Sequence, residues 1–315
     1  MPVDERVRRA TPADAPALSE LFSEVFGQER EERVWHWKFF EHPVGASSWV
    51  FEADGRIVAH CGSTAVSFSS HGRKTLALQL VDFMSHPRYS GGIGAGGTFA
   101  RTTTAMFRDA LSRTDAKLLY GFPGERHRLV GERLLGYATA TRVGEIRIEP
   151  QGDELETREL SSRDLDRFVE VPSALYAVRE REWLSWRYLE HPLASYEVVE
   201  TPKRFFRGSR SLAVIRREGG LIHLMETGGS FAPHDIEALV RRLASLGAPV
   251  VGWCSPEHMI TKLFTDAGCE LSIRDHSLAA AWFLEEPDPS RRRFFSSEAP
   301  RGSEFYFSMG DYDVY

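Results

Sequence analysis

Cysteine is scarce in this chain: Cys61, Cys254 and Cys269 are the three in 315 residues. They show neither the Cys-x-x-Cys spacing of a metal site nor the even count of a disulfide framework, so no metal is expected and a reducing, cytoplasmic setting fits best. Long apolar runs are missing too. No stretch of about 18 consecutive apolar residues occurs, and the opening MPVDERVRR has no apolar core behind its charges, so neither a membrane span nor an export signal is expected. Basic charge is in deficit, with a formal net charge of −6. Arg8-Arg9, Arg241-Arg242 and the run Arg291 to Arg293 are not interleaved with aromatics in a long stripe, which argues against a nucleic-acid partner. What remains is globular composition, 42% hydrophobic and 27% charged, which argues against disorder. The length exceeds the roughly 100–200 residues of one domain, so two compact parts are expected, 1–150 and 151–315.

Along the first part, Arg6 to Arg9 reads as a short strand. Thr11 can cap a helix with Pro12 in its first position, where the missing N–H costs nothing. Leu18, Leu21, Phe22 and Val25 then recur at helical spacing. A Trp-rich segment, Trp35 to Pro43, is followed by Trp49 to Glu52 and Arg56 to Ala59 around Asp54-Gly55, the signature of a tight hairpin. A strand over Leu76 to Met84 leads through His86-Pro87 into Gly91-Gly92-Ile93-Gly94-Ala95-Gly96-Gly97, and a helix continues over Phe99 to Leu111. A buried strand (Lys117 to Phe122), a helix (Arg126 to Leu135) and a strand after Gly136-Tyr137 complete this part.

The chain also resembles itself. Trp37-Lys38-Phe39-Phe40-Glu41-His42-Pro43 reappears 149 residues later as Trp186-Arg187-Tyr188-Leu189-Glu190-His191-Pro192, with four of seven positions identical. Leu119-Tyr120-Gly121-Phe122 corresponds to Val250-Val251-Gly252-Trp253. The second copy is shorter, and where the first carries its glycine run the second keeps only Gly228-Gly229. A duplicated fold with one functional cofactor cradle follows, trailed by an extension from Pro287 onward. Its aromatic alternation from Phe305 to Tyr315 suggests an added edge strand that carries Asp311 and Asp313 towards a cleft.

A glycine run between a strand and a helix lets successive N–H groups point at one anion, and a diphosphate is the natural guest. The plainer alternative is a hinge that holds no ligand. Gly92-x-Gly94-x-x-Gly97 also fits the dinucleotide fingerprint, but Pro87 to Ser90 separate it from its strand. Asp115, the acid at the right distance, precedes the next strand rather than ending it. No Gly-Lys-Ser/Thr is present, which removes the Walker loop.

His86-Pro87-Arg88-Tyr89, the glycine run, Gly121-Phe122-Pro123-Gly124 and Gly136-Tyr137 together resemble the GNAT (GCN5-related N-acetyltransferase) superfamily over most of residues 5–148. The Trp motif, Tyr120-Gly121-Phe122-Pro123 and the ending Gly310-Asp311-Tyr312-Asp313 are similar to tandem GNAT proteins associated with polysaccharide biosynthesis. The resemblance implies an α/β fold of two tandem GNAT-like domains, each a mixed central sheet flanked by helices. It implies an acyl-CoA-dependent N-acyltransferase, with acetyl-CoA or another acyl-CoA as co-substrate. The acceptor would be a small amine such as an amino sugar or amino acid. Cofactor contacts are then expected from Phe83 and Met84 on the splayed strand and from Ser90, Gly91, Gly92, Gly94, Ala95, Gly96, Gly97 and Thr98. The family's loop Arg or Gln is replaced by Ser90 or Gly94, and its helix Tyr falls on Glu132, or on Phe264 in the second copy.

Acyl transfer to an amine needs a neutral amine, an oxyanion stabiliser and a proton for the departing thiolate. Asp82 interrupts an apolar strand just before the loop and is the expected general base; the plain alternative is a solvated face or a brace for a loop. His86, Glu132 and His60 follow as candidates. Cys61 is expected to be a small buried residue, and Trp35, Trp37, Phe39 and Phe40 to pack a helix on the sheet. Two rivals stand beside this function: an aminoacyl-tRNA-dependent transferase, which the acidic charge opposes, and a non-catalytic module that binds a ligand or partner.

Overall fold

The computed structural model describes residues 5–89, 97–152, 155–168, 171–201, 211–288 and 293–312. Strands β1 (Arg6–Arg9), β2 (Ala46–Ala53), β3 (Arg56–Ser70), β4 (Arg73–Ser85) and β5 (Leu118–Gly121) come first. They are followed by β6 (Ala138–Ile148), β7 (Arg158–Glu159), β8 (Leu175–Ala177), β9 (Glu197–Glu200) and β10 (Leu212–Glu218). The last are β11 (Leu221–Gly228), β12 (Val250–Cys254), β13 (Glu270–Asp288), β14 (Arg293–Phe295) and β15 (Phe305–Tyr306). The helices are α1 (Ala15–Phe26), α2 (Glu32–Trp35), α3 (Thr98–Arg113), α4 (Glu125–Leu134), α5 (Ser162–Leu165), α6 (Arg181–Leu184), α7 (Pro233–Ala244) and α8 (Met259–Asp266).

Two compact units result. The first holds Met1–Ser67, Thr75–Thr139 and Ala279–Ala299; the second holds Phe68–Lys74, Ala140–Leu278 and Pro300–Tyr315. Each is a mixed sheet flanked by helices. In the first unit the order is β1-β2-β3-β4-β5, followed by the part of β13 from Ala279 onward, with β4 and β5 parallel. Thr11 and Asp14 form a reciprocal capping box that leads into α1, and Gly27 ends that helix at φ 69°. Asp54 (φ 52°) and Gly55 (φ 74°) make the two-residue turn of the β2–β3 hairpin, because such a turn matches the strand twist only when both residues take positive φ. One face of this sheet buries Leu18, Leu21, Phe22, Trp35 and Phe39 with Val50, Ile57, Val81 and Met84. The other buries Met106, Phe107 and Ala110 of α3 with Leu78, Leu119, Ala279, Ala281 and Phe294. The Trp segment is thus packing: Trp35 is fully buried and stacks on Phe39 at 5.9 Å. Cys61 is buried on the α3 side of the first unit, as Cys254 and Cys269 are buried in the second, and burial pushes each thiol up.

The second unit lays out the part of β13 up to Leu278, then β6-β12-β11-β10-β9-β7, with β11 and β12 parallel. Helices α7 and α8 bury Ile236, Leu239, Leu243, Ile260 and Phe264 against Ile146, Ile222 and Leu224. Local devices of the first unit recur here. Ser161 and Asp164 repeat the capping box of Thr11 and Asp14, and Arg158 grips Asp164 and Glu200 as Arg8 grips Asp14 and Glu52. Both Trp motifs run from a short helix into one π-helical turn, His36–Phe40 and Ser185–Leu189. His42 Nδ1 accepts from the amides of Val44 and Gly45, and His191 Nδ1 from those of Leu193 and Ala194.

Among its described residues the aromatic tail supplies the two-residue strand β15, parallel to β8. Asp311 turns into the interior of the second unit, and Asp313 lies outside the described residues. No helix among the described residues is long and apolar enough to cross a membrane, and none of their His, Cys, Asp and Glu side chains gather in a group that could hold a metal ion.

Candidate functional site

Strands β4 and β5 pair in parallel from Ala77–Leu118 to Leu80–Gly121. At Gly121 an added Cβ would lie 3.1 Å from Leu80 Cβ, so the last rung needs glycine to close. There β5 ends, while β4 runs on to Ser85. In this unaccompanied stretch Asp82 takes φ 50° within a strand, a left-handed conformation that costs a non-glycine residue on the order of 1–3 kcal/mol unless its surroundings impose it.

The surroundings are specific. His60 on β3 is fully buried; its Nδ1–H donates to Asp82 O at 2.7 Å, and its Nε2 accepts from Ser48 Oγ at 2.8 Å. A carbonyl can only accept, which fixes the tautomer, and burial pushes the imidazole pKa down to about 4. The Asp82 carboxylate receives Arg30 Nη1 at 2.6 Å on one oxygen and Lys38 Nζ at 2.8 Å on the other. The three side chains are 6%, 4% and 1% exposed for Asp82, Arg30 and Lys38. Burial alone would raise the Asp82 pKa, but the two cations outweigh it and hold the carboxyl well below the usual range. Asp82 is an ionised counter-ion with both oxygens engaged.

Phe83, next along β4, meets the ring of Phe99 at 5.7 Å and that of His127 at 4.9 Å. Thr98 Oγ1 donates to Tyr89 O at 3.1 Å and stands 3.3 Å from Ser85 Oγ. The end of β4 is thereby tied to the start of α3, with Gly97 as the N-cap of that helix. Phe83, Gly97 and Thr98 therefore border one place, while Met84 turns to the opposite face and packs in the core under α1; Ser90, Gly91, Gly92, Gly94, Ala95 and Gly96 lie outside the described residues.

The other two expected catalytic groups are engaged elsewhere. His86 Nδ1 accepts from the Arg88 amide at 3.2 Å, and its Nε2 is 3.7 Å from Glu24. Glu132 on α4 accepts from Arg128 at 3.0 Å and Thr139 at 2.7 Å; burial would raise its pKa, but these donors bring it below the usual range.

Sequence reasoning missed three residues. Arg30 and Lys38 carried a signal, since Arg179 and Arg187 stand at the repeat distance of 149. His127, on the first turn of α4, carried none. Burial pushes its pKa down to about 4, it packs on Phe83 and Phe99, and its Nε2 has no hydrogen-bond partner among the described residues.

The site thus lies where the parallel pair β4–β5 ends, between the last residues of β4 and the start of α3. Residues 6–128 match the acetyltransferase (GNAT) domain family model. No curated protein matches the chain in sequence. Among solved structures, the chain resembles a probable N-acyltransferase from Enterococcus faecalis at 17% identity and a TM-score of 0.64, covering 89% of this chain and 72% of that one. It resembles a GCN5-related N-acetyltransferase from Kribbella flavida at 14% identity and 0.64, covering 89% and 71%. Likeness extends to the N-myristoyltransferase of Saccharomyces cerevisiae, a structure with bound myristoyl-CoA, at 10% identity and 0.57 over 96% and 86% of the two chains. At these identities the likeness is one of fold.

Proposed function

We propose that the chain is an acyl-CoA-dependent N-acyltransferase whose first unit binds the donor, with acetyl-CoA the first candidate and a small primary amine as acceptor. The observation that carries this reading is the parting of β4 from β5 beyond Leu80–Gly121 at the left-handed Asp82, inside the stretch that matches the GNAT domain family. An extended pantetheine arm fits such a gap because β4 main-chain groups beyond the last rung have no β5 partner, and its amides would hydrogen-bond there like an added strand. In this reading the glycine segment 90–97 and the start of α3 receive the diphosphate.

The chemistry is direct. The neutral amine attacks the thioester carbon, a C–N bond forms, the C–S bond breaks, and the thiolate takes up the proton the amine gives up. Asp82 enters as a positioning residue rather than as the base, because its carboxylate is held by Arg30 and Lys38 and is a weak proton acceptor. His127, beside Phe83, is the imidazole assigned to the CoA arm. The second unit is a degenerate copy without a donor site.

Titration calorimetry with acetyl-CoA and longer acyl-CoAs, followed by thiol release on a panel of amino sugars and amino acids, tests the reading. One acyl-CoA per chain and amine-dependent thiol release are expected. Absence of binding overturns it, and binding without release from any amine favours a decayed binding module.

A further inference from the structure

In the second unit, β11 and β12 pair at Ile222–Val250 and His223–Val251. Where they continue, Leu224, Glu226, Trp253 and Cys254 line a space whose other wall includes Tyr306, Phe307 and Ser308, and only about 30 Å³ of it admits the centre of a water molecule. That is room for about one water.

The chain's own end fills this place through a dedicated set of contacts. Arg179, buried, donates Nη1 and Nη2 to the two Asp311 oxygens at 2.9 and 2.7 Å, Nε to Glu226 at 2.5 Å and Nη2 to Ser308 Oγ at 3.1 Å. Arg187 Nε donates to Gly310 O at 3.1 Å. A Cβ on Gly310 would collide with Tyr188 Oη and lie 2.8 Å from Met225 O. Ser308 and Asp311 close a reciprocal capping box, and the Tyr312 ring lies 3.9 Å from that of Trp253.

The two arginines are the repeat counterparts of Arg30 and Lys38, which in the first unit clamp Asp82. We infer that the second unit carries a peptide-recognition groove, built from the duplicated cation pair, and that residues 305–312 are its internal ligand, read through the Ser308-x-Gly310-Asp311 sequence. The tail is thus a ligand in the place a pantetheine arm would need, and the second unit is closed to a donor while it is seated. What the seated tail excludes rests on the acyl-transfer reading, whereas the groove and its internal ligand concern contacts within the second unit alone, so the two can fail separately.

The test uses the full chain. Hydrogen exchange of residues 305–312 is followed by mass spectrometry in the wild type, Asp311→Asn and Ser308→Ala. Loss of a charge-assisted pair is expected to speed exchange in this segment by at least about tenfold in Asp311→Asn, and loss of one hydroxyl by roughly threefold in Ser308→Ala, with β4 and β5 unchanged. A synthetic peptide of residues 303–312, added to Asp311→Asn, is expected to bind saturably, and the same peptide carrying Asn in place of its Asp to bind at least about tenfold more weakly. Unchanged exchange in both variants overturns the proposal, as does equal binding of the two peptides. If Asp311→Asn fails to fold, Ser308→Ala alone decides.

Discussion

Asp82 sits in a left-handed conformation, receives an imidazole N–H on its carbonyl and two cations on its carboxylate, and is almost wholly buried. Removing its charge leaves Arg30 and Lys38 facing a neutral amide in a place poor in water, and breaking a buried pair of this kind costs roughly 3–5 kcal/mol. Asp82→Asn is therefore expected to lower the melting temperature by several degrees as well as turnover. A residue acting only as a base would lower turnover and leave the melt in place, so thermal denaturation beside an activity assay separates the roles. The sequence marked Asp82 as out of character in its strand, and its partners only through their counterparts 149 residues on, because Arg30 lies 52 positions away and nothing local announces an ion pair over that distance.

At the scale of elements, α4 packs on the strand that follows it through Gly131. A Cβ there would overlap the Tyr137 hydroxyl and ring, so the helix carries a glycine where propensity alone would ask for alanine. Gly131→Ala gains about 1 kcal/mol of helix propensity, but overpacking costs about 1–3 kcal/mol. A net loss of stability is expected, read as an earlier midpoint in urea; a later midpoint would mean that the contact is soft. Much at this scale was legible. Arg6 to Arg9, the Asp54-Gly55 hairpin and the α1 stripe stand where capping and periodicity put them, and α3 extends one or two residues beyond each expected end. The tail was less so. Its alternation suggested a strand, yet capping by Ser308 and Asp311 and the buried Arg179 stop the ladder after Tyr306.

For the molecule as a whole, acidity is the informative variable. His42 and His60 are buried, with pKa values pushed down to about 3 and about 4 by burial, and His127 likewise to about 4. Below the ordinary imidazole value near 6.5 the unfolded chain takes up protons that the folded first unit excludes, so stability is lost as pH falls from about 6.5 towards 4, at up to ~1.4 kcal/mol per pH unit for each group. Glu226 in the second unit acts in the opposite sense. Burial and the neighbouring Asp311 raise its pKa against the pull of Arg179, so its contribution is present at low pH and lost as pH rises through that raised value. With His258 of the second unit also pushed down to about 4 by burial, four imidazoles against one carboxyl predict a lower melting temperature at pH 5 than at pH 7 by differential scanning calorimetry. His60→Asn, which keeps a donor towards Asp82 O, is expected to flatten that slope, and an equal slope in wild type and variant would remove His60 from the account.

The first unit borrows residues 279–299 from far along the chain, and β5 finds its antiparallel neighbour only in Ala279–Trp282. During synthesis the emerging first portion must wait for more than a hundred further residues before its sheet can close, with a row of backbone donors and acceptors exposed along β5 meanwhile. Assembly of the first unit is therefore a late event on the ribosome, and the two units cannot mature strictly one after the other.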